Sequence, residues 1–165
     1  MKEFEFEGLR CSDFQGKLFE QSVTRYNCSS KIFLRRFLKS DVLTFLDKNT
    51  VDSIYWSVPE ALDVIEQQYG ESNYGSVKYP SEAMYWMGYF YRYISYTRSM
   101  DTSVLFFHFP PEEVIKKYEV YHTQSMEWAV YSLLSSYNLT ELFFDQNWRM
   151  KQILIQHGYP ELQKD

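Results

Sequence analysis

The stretch SEAMYWMGYFYRYISYTR, residues 81–98, constrains this chain more than any other. At helical spacing its apolar residues fall on nearly every face, so other elements must cover it on most sides. The reading places it at the centre of the fold. One charged side chain, Arg92, lies between Glu82 and Arg98, among five tyrosines, one tryptophan and one phenylalanine. Tyr85, Gly88, Tyr89, Arg92 and Tyr96 share one face. An arginine cannot shed its charge, so burial obliges its guanidinium to find a carboxylate, a set of carbonyls or a ligand anion. Two readings stay open at this point: a structural ion pair or stacking on the tyrosines, and a site for an anion or a partner's carboxylate.

The segments around it read as further helices. Ser12 is placed as an N-cap for a helix carrying Phe14, Leu18 and Phe19, in which Gly16 either weakens the helix or lets something pack closely. SSKIFLRRFLKSDVLTFLDK reads as one helix capped by Ser29 or Ser30, with Lys31, Arg35 and Lys39 along its outer face. That basic stripe is either a solvated face or a docking stripe for an acidic partner. Ser57 and Glu60 have capping-box spacing, Pro59 suits a first turn and Gly70 a terminus. The exposed side of that helix is acidic through Glu60, Asp63 and Glu66, and the Gly-, Asn- and Pro-containing run after it reads as loop. Ser81 is read as the cap of the aromatic helix, and Asp101 or Ser99 as the start of a short helix ending before Pro110. Pro111 opens a helix through His122, with Glu112 and Glu113 in its first turn. Ser125 and Thr140 start two more, and a short strand is expected at most at 3–6. The expectation is an all-α single domain of about six to eight helices, with 82–97 central and a helical tail over about 140–158.

A chain of 165 residues suits one domain of ordinary size. Its net charge of -5 lacks the positive field of a general nucleic-acid binder. Cys11 and Cys28 form no CxxC, and His108, His122 and His157 form no HxxxH, so neither a disulfide framework nor a zinc site is expected. No secretory leader is read in MKEFEFEGLR, and the most apolar window, 83–96, falls short of the roughly 20 residues a membrane span requires. The expectation is a cytoplasmic protein with no metal or cofactor. Motifs for a nucleophile elbow, a phosphate loop, a zinc hydrolase or a dinucleotide fold are missing.

Three further positions bear on chemistry. His122 ends a helix whose dipole favours imidazolium, which makes it a C-terminal cap or, alternatively, a site residue near Arg92. Thr102 and Ser103 start a short helix, where backbone N–H groups either are simply capped or hold a phosphate. Tyr91, Tyr93 and Tyr118 supply hydroxyls that complete a candidate Arg/His/Tyr pocket.

At QGKLFEQS, FLRRFLKSDV, YWMGYFYRYISY and YEVYHT the chain resembles an uncharacterised family of small bacterial proteins with QGxxF, YWxGYxYRYW and YxxFHT segments. The likeness spans about 14–134, and the matching positions are Gln15, Gly16, Phe19, Trp86, Gly88, Tyr91, Arg92, Tyr93, Tyr118, His122 and Thr123. Members of that family are encoded beside ADP-ribosyltransferase-like proteins in loci resembling toxin–antitoxin modules. The resemblance therefore implies a component that binds a partner protein encoded by a neighbouring gene. The chain departs from the family where Ile94 replaces a tryptophan and SMDTSVLFF, with Asp101 and Thr102, stands in place of paired serines. The alternative is a binding protein or enzyme in which Arg92, His122, Tyr91 and Tyr118 converge on an anionic, nucleotide-like ligand.

Overall fold

The computed structural model describes residues 4–48 and 56–138, which form an all-α domain without strands. Its axis is a helix pair. Helix α1 (Phe6–Arg25) lies against α5 (Ser81–Arg98), the aromatic helix of the sequence. The two run antiparallel, since Gly8 faces Tyr96 whereas Gly16 faces Tyr85. Gly8, Ser12 and Gly16, four residues apart, form a groove of small residues on α1 that receives the Tyr85–Gly88–Arg92–Tyr96 face of α5. Ser12 is thus not a helix cap: it sits mid-helix, fully buried, its hydroxyl without a partner. The reason is steric, because a larger residue there would hold α5 away. The chain is extended at Glu5 and helical from Phe6, so residues 4–6 form no strand.

Helix α2 (Ser30–Leu38) and helix α3 (Asp41–Lys48) replace the single helix expected over this stretch. Ser29 caps α2 by accepting from the Ile32 N–H. Lys39 ends it, and Ser40 starts α3 by accepting from the Leu43 N–H at 3.2 Å while donating to the Phe37 carbonyl at 2.8 Å. This serine-centred break lets Val42, Leu43 and Leu46 turn into the core along a new axis. Phe19, Phe33 and Phe37 meet edge to face and stacked in the core. Helix α4 (Val58–Tyr69) carries the expected capping box, with Gly70 at φ 71° as its terminus. Its acidic face is bound, since Arg25 bridges Asp63 at 2.9 Å and Glu66.

Residues 71–80 are an extended connection pinned to the start of α2 by Ser29 N–H to the Tyr74 carbonyl and Ser30 N–H to the Val77 carbonyl. Pro80, not Ser81, is the N-cap of α5, and no side chain caps that end. Helix α6 (Thr102–His108) follows. The helix expected from Pro111 through His122 is divided into α7 (Pro111–Val114), a 3₁₀ turn (Ile115–Lys117) and α8 (Tyr118–Tyr121). The tighter winding accompanies the placement of Tyr118 beside Trp86, ring centres 6.0 Å apart. Helix α9 (Met126–Ser136), capped by Ser125, closes the core with Leu133 and Leu134. The helix expected from Thr140 lies outside the described residues. Among the described residues no helix is long and apolar enough to cross a membrane.

Tyr26 and Tyr91 are buried in this interior, and that sets a pH limit. Burial pushes the phenols of Tyr26 and Tyr91 above the ordinary tyrosine value. In the unfolded chain both titrate near about 10. The neutral phenol is favoured by the fold, so this stability is complete below that pH and declines as pH rises toward the folded values. Each such tyrosine steepens the loss by up to about 1.4 kcal/mol per pH unit. Alkaline titration should therefore show phenolate absorbance of the buried class appearing together with loss of helical circular dichroism. Smooth ionisation of all tyrosines with the helices intact would contradict this burial.

Candidate functional site

Arg92 is 3% exposed and is met from four elements. Its Nε donates to Oε1 of Gln15 on α1 at 2.9 Å. Nη1 donates to the Leu46 carbonyl at 3.0 Å and to Ser95 Oγ at 3.2 Å, and Nη2 to Thr102 Oγ1 at 3.2 Å. Asp47 Oδ1 lies 3.0 Å from Nη1. The carboxylate that the lone guanidinium requires is therefore inside the chain. Gln15 completes the arrangement by donating Nε2 to the Gly88 carbonyl at 3.0 Å, which fixes its amide so that the oxygen faces Arg92.

Helix ends account for the placement of both charges. Leu46 lies in the last turn of α3, where carbonyls lack helical partners and a cation is favoured. Asp47 accepts from the Thr102 N–H at 3.0 Å and from Thr102 Oγ1 at 2.8 Å, at the first turn of α6. Its carboxylate occupies the position an anionic ligand would take at that helix end. Burial pulls the Arg92 pKa below the ordinary arginine value, with the attraction of Asp47 opposing it. Arginine remains charged throughout the physiological range. The cluster is therefore an ion pair embedded in neutral donors and acceptors.

A cavity of about 230 Å³ adjoins the cluster, with Asp47, Lys48, Arg92 and Asp101 in its lining. Two carboxylates balance the two cations, so the cavity offers no net attraction to an anion. The other candidate residues are dispersed. Tyr91 is fully buried, donates to the Phe109 carbonyl and packs on Phe106 at 4.4 Å between ring centres. Tyr93 packs on Phe4 at 4.6 Å. His122 is the exposed C-cap of α8, its Nδ1 2.8 Å from the Tyr118 carbonyl and its ring stacked on Tyr118 at 4.5 Å. Thr102 joins Arg92 in the cluster; Ser103 is exposed. The structure brings Arg92 and Thr102 together and leaves Tyr91, Tyr118 and His122 elsewhere. Among the described residues no group of His, Cys, Asp and Glu is arranged to hold a metal ion.

A largely apolar opening lies on the surface, a groove of about 400 Å³ between α2 and α6. Leu34, Leu38, Phe106, Phe107, Pro110 and Pro111 line it, with Lys31, Arg35 and Glu112 at its edges. Phe107 is 80% exposed, and Lys31 pairs with Glu112 at 2.8 Å. A second hollow of about 200 Å³, sharing Leu38 and Ser103, extends the groove toward Thr44, Lys48 and the carboxylates of Asp47 and Asp101. Sequence reasoning singled out the Lys31–Arg35–Lys39 stripe but neither this groove nor Asp47 and Gln15 as partners of Arg92. Val104 and Phe107, three apart and flanking the buried pair Leu105–Phe106, were the available signal for an α6 exposed on its apolar side.

No family model, characterised protein or solved structure matches this chain.

Proposed function

We propose that this chain is a non-catalytic, partner-binding component of a toxin–antitoxin-type module, neutralising an ADP-ribosyltransferase-like protein encoded beside it. The class of partner comes from the family resemblance. The observation that carries the choice of binding over catalysis is the Asp47–Arg92 pair: the guanidinium that would anchor an anionic substrate already has its carboxylate and four neutral acceptors. Tyr91, Tyr118 and His122 are directed to other partners, which leaves the nucleotide-pocket alternative without a convergent site. An exposed apolar groove is what protein recognition uses.

Co-expression with the products of neighbouring genes tests the proposal. A stable complex on gel filtration, with growth restored when this chain accompanies the ADP-ribosyltransferase-like protein, is the expected result. Absence of any complex, together with nucleotide-dependent thermal stabilisation of the isolated chain, would overturn it.

A further inference from the structure

We infer that the α2–α6 groove is the docking site for a partner segment in which aromatic or leucine side chains are flanked by aspartate or glutamate. This rests on the partner-binding reading above and assigns it a surface and a chemistry. The groove's size admits roughly two large side chains. Phe107, 80% exposed on its rim, is a large aromatic that a docked anchor would desolvate, the environment in which binding energy concentrates.

Charge selects among apolar segments. The chain is acidic overall, at -5, yet α2 and its C-cap carry Lys31, Arg35 and Lys39 within nine residues, and Lys31 and Arg35 line the groove. Glu112 pairs directly with Lys31 and also feels the charge of Arg35, but Arg35 and Lys39 make no ion pair among the described residues. Arg35 lines the groove beside Leu38, and Lys39, the C-cap of α2, follows one turn later, whereas the second hollow beyond Leu38 carries Asp47 and Asp101 with Lys48. An apolar anchor between Leu34, Phe106 and Phe107 would place a flanking carboxylate on the α2 side, toward Arg35 and away from the acidic second hollow. Long-range attraction to this wall would raise the rate of encounter, and a basic segment would be rejected.

The test has two arms, each comparing the full chain with Phe107→Asp and Arg35→Glu. Both side chains are exposed, and unchanged circular dichroism and melting confirm that the variants fold. In the first arm, a random-peptide phage selection against the full chain should enrich Phe, Trp or Leu flanked by Asp or Glu. Each variant should weaken the best peptide at least about tenfold. No enrichment, enrichment of basic peptides, or equal binding to the variants would overturn the assignment. So would peptides matching residues 139–165, or a groove-dependent dimer in sedimentation, since either would make the chain its own occupant.

The second arm repeats the comparison with the co-expressed neighbouring protein. If wild type and both variants bind it equally, the proposed function stands and the groove assignment falls. If the peptide arm succeeds and no neighbour binds, the groove stands and the toxin–antitoxin reading falls.

Discussion

Asp47→Ala should destabilise the fold by about 3–5 kcal/mol, because it leaves the guanidinium of Arg92 buried without a counter-charge. That is a large share of the roughly 5–15 kcal/mol available to a domain. Arg92 is 3% exposed and the Asp47 side chain 13% exposed, and both border the same cavity, so water reaching the guanidinium there sets where in that range the cost falls. The double variant Asp47→Ala/Arg92→Met removes both charges together and should be more stable than Asp47→Ala alone. Urea unfolding of the four species in a double-mutant cycle gives the coupling directly. An Asp47→Ala cost below about 1 kcal/mol would mean that the pair is not closed as described. Arg92→Ala should likewise act first on stability, so loss of partner binding in that variant would say nothing about contact with a partner.

The positions that were legible in the sequence are those governed by neighbours along the chain. Ser57 with Glu60, Gly70, and Ser125 act within a turn of themselves, and the expected caps and terminus are present. The nearly all-round apolar pattern of 81–98 likewise required a central helix. What escaped depends on distant partners. Asp47 stands 55 residues from Thr102, and nothing in FLDK distinguishes a carboxylate destined for an ion pair from one left in solvent. Ser12 misled because serine suits two unrelated purposes, capping a helix and permitting close approach of another. The repeat Gly8–Ser12–Gly16 distinguishes them, since a stripe of small residues at four-residue spacing is a packing face. At Ser40 the apolar period continues across the break, so periodicity joined two helices that the serine hydroxyl separates.

Gly88→Ala should be the most costly of the glycine-to-alanine changes in α1 and α5, because its neighbours are backbone. A Cβ at that position would lie 2.6 Å from the Gln15 carbonyl oxygen and 3.0 Å from the Gly16 Cα. Neither atom can swing aside, so α1 and α5 must separate along their contact, at a cost of about 1–3 kcal/mol for overpacking or more. Gly16→Ala meets chiefly the ring of Tyr85 at 2.8 Å, with the Tyr85 carbonyl oxygen farther off at 3.1 Å, so its clash with backbone is milder than that at Gly88 and it should cost less. Displacement of α1 also moves Gln15, which both holds the Gly88 carbonyl and accepts from Arg92. Gly88→Ala should therefore loosen the ion-pair cluster as well as the helix contact, and its cost combined with Asp47→Ala should fall short of the sum of the two. Thermal melts of the single and double variants decide this. Strict additivity would show that the helix contact and the charge cluster are independent, whereas a shortfall would establish that the glycine holds Arg92 in place through Gln15.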